Sequence, residues 1–273
     1  MLNAITSADQ MFSLPPGQPY PLVTIVTATY NSEKTIRDTL SSVASQEYPR
    51  IEHVIVDGLS TDNTLAIVRE FPHVSRIISE KDKGIYDAMN KGINSSAGDI
   101  IGMLNSDDFY VSNDVISKVV EKMISAKSDT LYADLVYVHP EQTQKIVRTW
   151  IAGKYQQRKF LFGWMPPHPT FFVRRHVYEH LGAFNISLRS AADYELMLRF
   201  LHKGKVTVSY LPQVIVRMRA GGMSNASISN RIKANLEDRE AWRVNQLRPY
   251  FFTTILKPIR KLIQFVRKPN TVV

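Results

Sequence analysis

Along the first half of the chain, short apolar runs alternate with stretches whose apolar residues recur every three or four positions. Residues 22–28 are rich in β-branched side chains and predict a buried strand. Asn31-Ser32 then offers a helix cap, followed by Ile36, Leu40 and Val43 at helical spacing. The same sequence of events repeats. A strand over 52–56 ends at Asp57-Gly58, and Thr61-Asp62-Asn63 opens a helix carrying Leu65, Ile67 and Val68. A third strand covers 74–79, a helix 86–93, and a fourth strand 99–104 stops at Asn105-Ser106-Asp107-Asp108. Strands alternating with helices predict an α/β fold, with a mostly parallel central sheet flanked by helices in the Rossmann manner. In such sheets ligands collect at the carboxyl ends of the strands, so the polar residues after each strand carry the functional interest.

Beyond about residue 130 the pattern loosens. A strand over 130–138 precedes a long basic and aromatic stretch through Trp164, then the turn Pro166-Pro167-His168-Pro169. A strand through Val173, a helix over 193–201, and strands over 206–210 and 214–218 complete the globular part. The expected organisation is a loose lead over 1–20 and a catalytic domain over 21–225. That domain divides into a donor-binding half, 21–110, and an acceptor-binding half, 111–225. A basic, helical, amphipathic extension fills 226–273.

Composition narrows the choices. The chain has 273 residues and 44% hydrophobic side chains, enough for a packed core, and no cysteine, which excludes disulfides and thiolate metal sites. A formal net charge of +9 favours an anionic partner. The first residues read as no signal peptide, and no apolar run is long enough to span a bilayer, so the body is expected to be soluble and cytoplasmic. Neither a dinucleotide fingerprint nor a P-loop is present.

Acidic residues fall at the predicted element ends: Asp57, Asp107-Asp108, and Asp193 at a helix start. Taken singly, each reads more readily as a turn or capping residue. Together they can converge on one edge of the sheet. Two adjacent carboxylates repel each other, and a cation makes such a pair tolerable. Hard oxygen ligands select Mg²⁺ or Mn²⁺, ions that bridge substrate phosphates and stabilise a departing nucleoside diphosphate.

Four segments carry a resemblance. Residues 24–31, Thr-Ile-Val-Thr-Ala-Thr-Tyr-Asn, look like the opening of the family-2 glycosyltransferases. Residues 56–62 resemble that family's second stretch, residues 104–108 its D-x-D-type metal motif, and residues 192–199 its E-D-Y-[DE]-L-x-x-R segment. Their order and spacing match across roughly 22–220. Residues 82–92, from Asp82-Lys83-Gly84 to Lys91-Gly92, are similar to a subgroup that builds bacterial surface polysaccharides.

The resemblance implies a GT-A fold and inverting transfer from a nucleotide-diphosphate sugar, with UDP the commonest donor nucleotide. The acceptor implied is a glycan or lipid-linked saccharide. It assigns Thr27, Ala28, Tyr30 and Asp57 to the nucleotide, Asp108 to the metal, and Asp107 to the ribose or sugar. Asp193 matches the catalytic base. Lys83, at a helix N-terminus, suits the diphosphate, with Gly84, Tyr86 and Asn90 from the same segment on the donor side. The acidic residue that usually precedes the base is Ala192 here. His168 is a candidate for diphosphate, metal or acceptor, or for packing. Trp164 is a candidate sugar platform or a core aromatic. Arg219, with Gly221-Gly222-Met223-Ser224, is a candidate lid over the diphosphate.

Residues 248–268 hold six basic side chains and no acid, interleaved with apolar ones. This predicts an interfacial helix at the inner face of the plasma membrane, or alternatively a helix docked on the protein's own core. No recognition motif supports nucleic-acid binding. Two other functions compete with transfer: a non-catalytic nucleotide- or glycan-binding protein on the same fold, and, more remotely, a nucleotidyltransferase.

Overall fold

A computed structural model describes residues 20–221 and 228–264. The expected lead, apart from Tyr20, therefore lies outside the described residues, as do Gly222-Met223-Ser224 and the end of the basic segment.

The first half forms as the apolar pattern predicts. Strand β1 (Val23–Thr29) pairs in parallel with β2 (Ile51–Asp57) and β4 (Ile100–Met103), and β2 pairs in parallel with β3 (Val74–Ser79). Helices α1 (Ile36–Ala44), α2 (Thr64–Arg69) and α3 (Ile85–Ser95) connect them. β1 is buried along its whole length because both faces are covered. Its side chains alternate between two cores: Val26 and Ala28 join the core that includes Met89 and Ile93 of α3. Val23 and Ile25 join the opposite core, with Val115, Ile116 and Val119 of α4 (Val115–Ser125). Gly92 lets α3 sit directly on the sheet, since a Cβ there would lie 2.2 Å from a Val26 methyl.

The second half completes a nine-stranded sheet of order β3-β2-β1-β4-β8-β6-β9-β5, with β7 beside β6. Here β5 is Phe109–Tyr110, β6 Thr130–Val138, β7 Ile146–Trp150, β8 Phe172–Arg174 and β9 Val208–Arg219. β6 and β9 are parallel, whereas β8 runs antiparallel to both β4 and β6. Two short 3-10 turns, Gln157–Phe162 and His168–Thr170, lie between β7 and β8, and α5 (Arg175–Leu181) follows β8. Next come α6 (Ala192–Met197), a π-helical turn Leu198–Lys203, and, after β9, α7 (Ile228–Val244) and α8 (Thr253–Ile263).

Several sequence expectations change. The strands expected over 206–210 and 214–218 are one strand: Leu211 pairs with Ala133 and Val214 with Asp134, so Pro212 and Gln213 bulge out without ending the pairing. Asn31-Ser32 does not cap α1; the helix begins four residues later with Thr35 at the cap position and no side-chain bond. Asn31 instead takes a left-handed conformation (φ 48°) and closes a loop. Helix α4, strands β5 and β7, and helix α5 add to the expected set. Among the described residues no helix is long and apolar enough to cross a membrane.

The C-terminal helices pack on α6. The Trp242 indole N–H donates to the Tyr194 hydroxyl at 2.9 Å, and the Asn245 amide donates to Glu195 at 2.9 Å. Gly163, with φ 72°, lets α8 approach, because a Cβ there would lie 2.5 Å from the Lys257 nitrogen. Glu195, only 3% exposed, holds Arg199 one turn on, and Arg199 spends its remaining donors on the carbonyls of Leu181, Gly182 and Ala183. The acid and arginine of that segment therefore knit α6 to the end of α5.

Candidate active site

The parallel strands β1, β2, β3 and β4 all end on one edge, and their loops meet there. After β2, Asp57 is fully buried and accepts bonds from the Ser60 backbone N–H (3.1 Å) and the Ser79 hydroxyl (2.8 Å). Leu59 adopts φ 63° to make the first bond, a conformation costly for a residue other than Gly, Asn or Asp. The Asn31 side chain accepts the Thr61 backbone N–H at 2.9 Å, tying the β1 loop to the β2 loop. The Ser32 and Ser106 hydroxyls lie 2.9 Å apart, tying the β1 loop to the β4 loop. Gly58 faces the Asp82 carboxylate and the Tyr30 ring so closely that a Cβ would lie 2.5 Å from an Asp82 oxygen. Asp82 also accepts the Gly84 backbone N–H, fixing the entry to α3. The loops expected to meet the nucleotide thus gather at this edge, where Tyr30 is exposed, Asp57 is buried and Gly58 packs against Asp82. Asp82 was absent from the expected set; Gly58, the one residue that permits its approach, was the available signal.

Not every expected donor residue presents its side chain. The Thr27 hydroxyl is turned to buried His53 at 3.0 Å, so Thr27 and Ala28 could meet a ligand only through the backbone and the strand end. The Asn90 amide exchanges two hydrogen bonds with the backbone of Phe184 and braces that loop. Lys83 and Gly84 are exposed at the start of α3, and Gly84 needs its φ of 117° to make that turn.

The carboxylate pair divides into two environments. Asp108 is 0% exposed; one oxygen accepts the Arg219 backbone N–H at 3.3 Å and the other the Asn105 amide at 2.9 Å. Burial pushes its carboxyl well above the usual range, and the neighbouring Asp107 charge adds to this. Asp107 is half-buried and likewise raised by burial, with the Arg219 charge opposing the shift. Arg219 is 7% exposed. It donates to the Asp107 carbonyl at 2.6 Å and the Pro140 carbonyl at 3.1 Å, and pairs with Asp38. It therefore braces the carboxylate loop from behind, where a lid role was expected. Among the described residues no three His, Asp or Glu side chains gather to hold an ion unaided. The pair still fits a divalent cation that takes its other ligands from phosphate oxygens, as Mg²⁺ commonly does.

Asp193 sits in the first turn of α6, partly exposed, and accepts the Tyr86 hydroxyl at 3.3 Å. Burial holds that phenol well above its usual range, with the Asp193 charge adding, so Tyr86 remains a donor. Tyr86 stacks on Phe184 at 5.4 Å, and His168 meets the same ring edge-on at 5.5 Å. Burial lowers the His168 pKa while the Asp193 charge opposes it, so His168 lies within the field of that carboxylate. Tyr137 is pushed up to about 12 by burial; Arg148 opposes, and the Asp108 and Asp193 charges add. One phenol thus feels carboxylates from both the β4 loop and α6. Ala192 is fully buried in the core, so the acid usual at that position would have no solvation there. Trp164 is enclosed too: 4% exposed, packed on Tyr132 and Phe160, its N–H donating to the Ala152 carbonyl. It is a largely enclosed core aromatic.

The chain is similar to several known glycosyltransferases. A glycosyltransferase of PGL/p-HBAD biosynthesis from Mycobacterium bovis is 28% identical over 214 residues, covering 76% of this chain and 81% of that one. A Mycobacterium tuberculosis glycosyltransferase is 32% identical over 182 residues, covering 66% and 68%. Among solved structures, S. aureus TarS with UDP-GlcNAc superposes with a TM-score of 0.64 at 20% identity, over 90% of this chain and 71% of that one. A Pyrobaculum calidifontis mannosyltransferase with GDP-Man and Mn²⁺ gives 0.62 at 20%, over 90% and 70%. These likenesses show that the fold is GT-A. The sequence profile of glycosyl transferase family 2 matches residues 24–182, more than half the chain, and the chain belongs to that family.

Proposed function

We propose that this glycosyltransferase moves a hexose from a nucleotide-diphosphate sugar, UDP-linked in the first instance, to a hydroxyl of a glycan or lipid-linked saccharide, with inversion. The observation that carries this reading is the Tyr86–Asp193 hydrogen bond, which ties a partly exposed carboxylate to the first turn of α3. The acceptor hydroxyl attacks the anomeric carbon from the face opposite the diphosphate. As its new C–O bond forms, its proton passes to Asp193 and the bond to the diphosphate breaks. Tyr86 keeps the Asp193 oxygen oriented through that step. Tyr30, Asp57 and Asp82 receive the nucleoside, and Lys83 at the start of α3 meets the diphosphate.

A bound Mg²⁺ or Mn²⁺ would offset the charge of the departing diphosphate. Asp107 would hold it in this reading. Asp108, the metal residue expected from the family pattern, also accepts from Asn105 and Arg219 and so shapes the loop. The bound nucleotide sugars of TarS and of the archaeal mannosyltransferase, and the Mn²⁺ of the latter, support the same reading. On the acceptor side, residues 248–268 meet an anionic membrane surface.

Calorimetry with UDP, GDP and dTDP, each with and without Mn²⁺, tests the donor class. Binding of one nucleotide only with metal is expected. Asp193→Asn should lower transfer by about 10²–10⁴-fold while that binding persists. Lost nucleotide affinity in Asp193→Asn would overturn the base assignment.

A further inference from the structure

Helix α8 is amphipathic in the reverse sense to a helix docked by its apolar face. Its polar side chains point inward: Thr253 donates to the Leu161 carbonyl at 2.6 Å, Thr254 accepts from Arg239, and Lys257 pairs with buried Asp238 at 2.6 Å. Its apolar side chains point out. Phe251, just before the helix, is 84% exposed, and Ile255 and Ile259 are each 50% exposed, spaced four residues apart on one stripe. Phe162, at the end of the 3-10 turn Gln157–Phe162, is 46% exposed and lies 6.1 Å from the exposed ring of Tyr250. A soluble surface seldom gathers five large exposed apolar side chains, and such a patch marks an interaction site.

The two segments that build this patch carry basic side chains and no acidic one, although Asp238 of α7 pairs with Lys257. Residues 142–178 contain no Asp or Glu, and neither do residues 241–273. These two acid-free stretches are far apart in sequence, yet the fold joins them. The Thr149 backbone N–H donates to the Gln264 carbonyl, and Gly163 abuts the backbone of Leu256 and Lys257. Between the two stretches lies a cavity of about 200 Å³, lined among others by Lys159, Trp164, Lys257 and Arg260, with no carboxylate in its lining. None of Asp57, Asp107, Asp108 or Asp193 lines it.

We propose that the 3-10 turn Gln157–Phe162 and helix α8 together form one surface that seats in the headgroup region of an anionic phospholipid bilayer. Phe162, Phe251, Ile255 and Ile259 enter the acyl boundary, and Lys159 and Arg260 meet lipid phosphates. The surface refines the reading of residues 248–268 as lipid-facing by adding a second, distant segment and by fixing which face of α8 meets the lipid. It does not depend on sugar transfer. An apolar stripe rimmed by basic residues is the arrangement that interfacial helices use, and each basic residue near an anionic leaflet contributes about fivefold in binding.

The test is flotation of the full chain with vesicles of phosphatidylcholine alone and of phosphatidylcholine mixed with phosphatidylglycerol, at low and high salt. The parent protein should bind the mixed vesicles about tenfold more tightly at low salt and lose that preference at high salt. F251S/I255S/I259S should lose about tenfold or more on both vesicles, and K159E/R260E should lose binding on the mixed vesicles alone. Nucleotide affinity, measured on the same variants, should stay at the parent value, which separates this surface from the donor site. Equal binding of the parent to both vesicles, or binding by K159E/R260E that matches the parent, would overturn the proposal. So would a parent that ignores vesicles but falls from dimer to monomer on F251S/I255S/I259S substitution, because a second copy would then cover the patch.

Discussion

The Tyr86 hydroxyl donates to the Asp193 carboxylate at 3.3 Å, joining the first turn of α3 to the first turn of α6 across 107 residues of sequence. A base on a short helix is only as well aimed as its partner makes it. Tyr86→Phe removes the donor while keeping the stack on Phe184, so nucleotide affinity should hold. The loss of one hydrogen bond of ordinary strength should lower kcat about fivefold. Steady-state kinetics beside nucleotide calorimetry check this, and an unchanged kcat would remove Tyr86 from the reaction.

The two members of the carboxylate pair should fail differently. Asp107→Asn should abolish the Mn²⁺-dependent gain in nucleotide binding and leave thermal stability near the parent value. Asp108→Ala leaves the Arg219 N–H and the Asn105 amide without acceptors in a buried loop, and should cost about 1–3 kcal/mol of stability. Urea denaturation and calorimetry on both variants decide the matter; a stable Asp108→Ala that loses metal dependence would restore the family assignment.

Arg199→Ala should destabilise the fold by about 3 kcal/mol, because it strands the nearly buried Glu195 carboxylate and three carbonyls at the end of α5. Denaturation midpoints measure the loss. Protein that remains folded at low temperature should still bind nucleotide, since Arg199 touches none of the strand-end loops.

Two buried groups set opposite pH trends. Burial raises Asp134 to about 6, opposed by the Ala152 N–H and the Tyr210 hydroxyl, so the folded state binds a proton that the unfolded chain does not. Asp134 therefore costs stability above pH 6, and that cost is relieved as pH falls from 6 toward 4. Burial lowers His53 to about 3, with the neighbouring His73 adding, so its contribution is present above 6.5 and is lost as pH falls below that value. Asp134→Asn removes the first trend alone. The variant should lose stability more steeply than the parent between pH 6.5 and 4, read as denaturation midpoints against pH. Parallel curves would show that Asp134 does not titrate there.

Local pattern carried the first half of the molecule. The β-branched runs at β1, β2 and β4 are buried on both faces, so each reads as an unbroken apolar strand. Helix α4 is as legible, with Val115, Ile116, Val119, Val120 and Met123 at helical spacing. β5 and β7 are short and partly exposed, and their pairing comes from β9 and β6, so no local period announces them. The bulge at Pro212-Gln213 was read as a gap because proline signals an ending unless a partner strand carries on past it.

For the site, sequence alone determined which residue types stand at the strand ends, since strand ends follow from hydrophobic runs and the carboxylates sit where those runs stop. It did not determine what each side chain faces. That Asp108 is buried against Arg219, that Asn90 braces Phe184, that Arg219 supports the carboxylate loop, and that Trp164 is enclosed were all decided by partners distant in sequence. The orientation of α8 was decided in the same way. Its apolar stripe was visible in the chain, but only its packing, with Thr253, Thr254 and Lys257 anchored inward, left that stripe facing out. A hydrogen bond or a packed face depends on both partners at once, whereas sequence pattern constrains each residue singly.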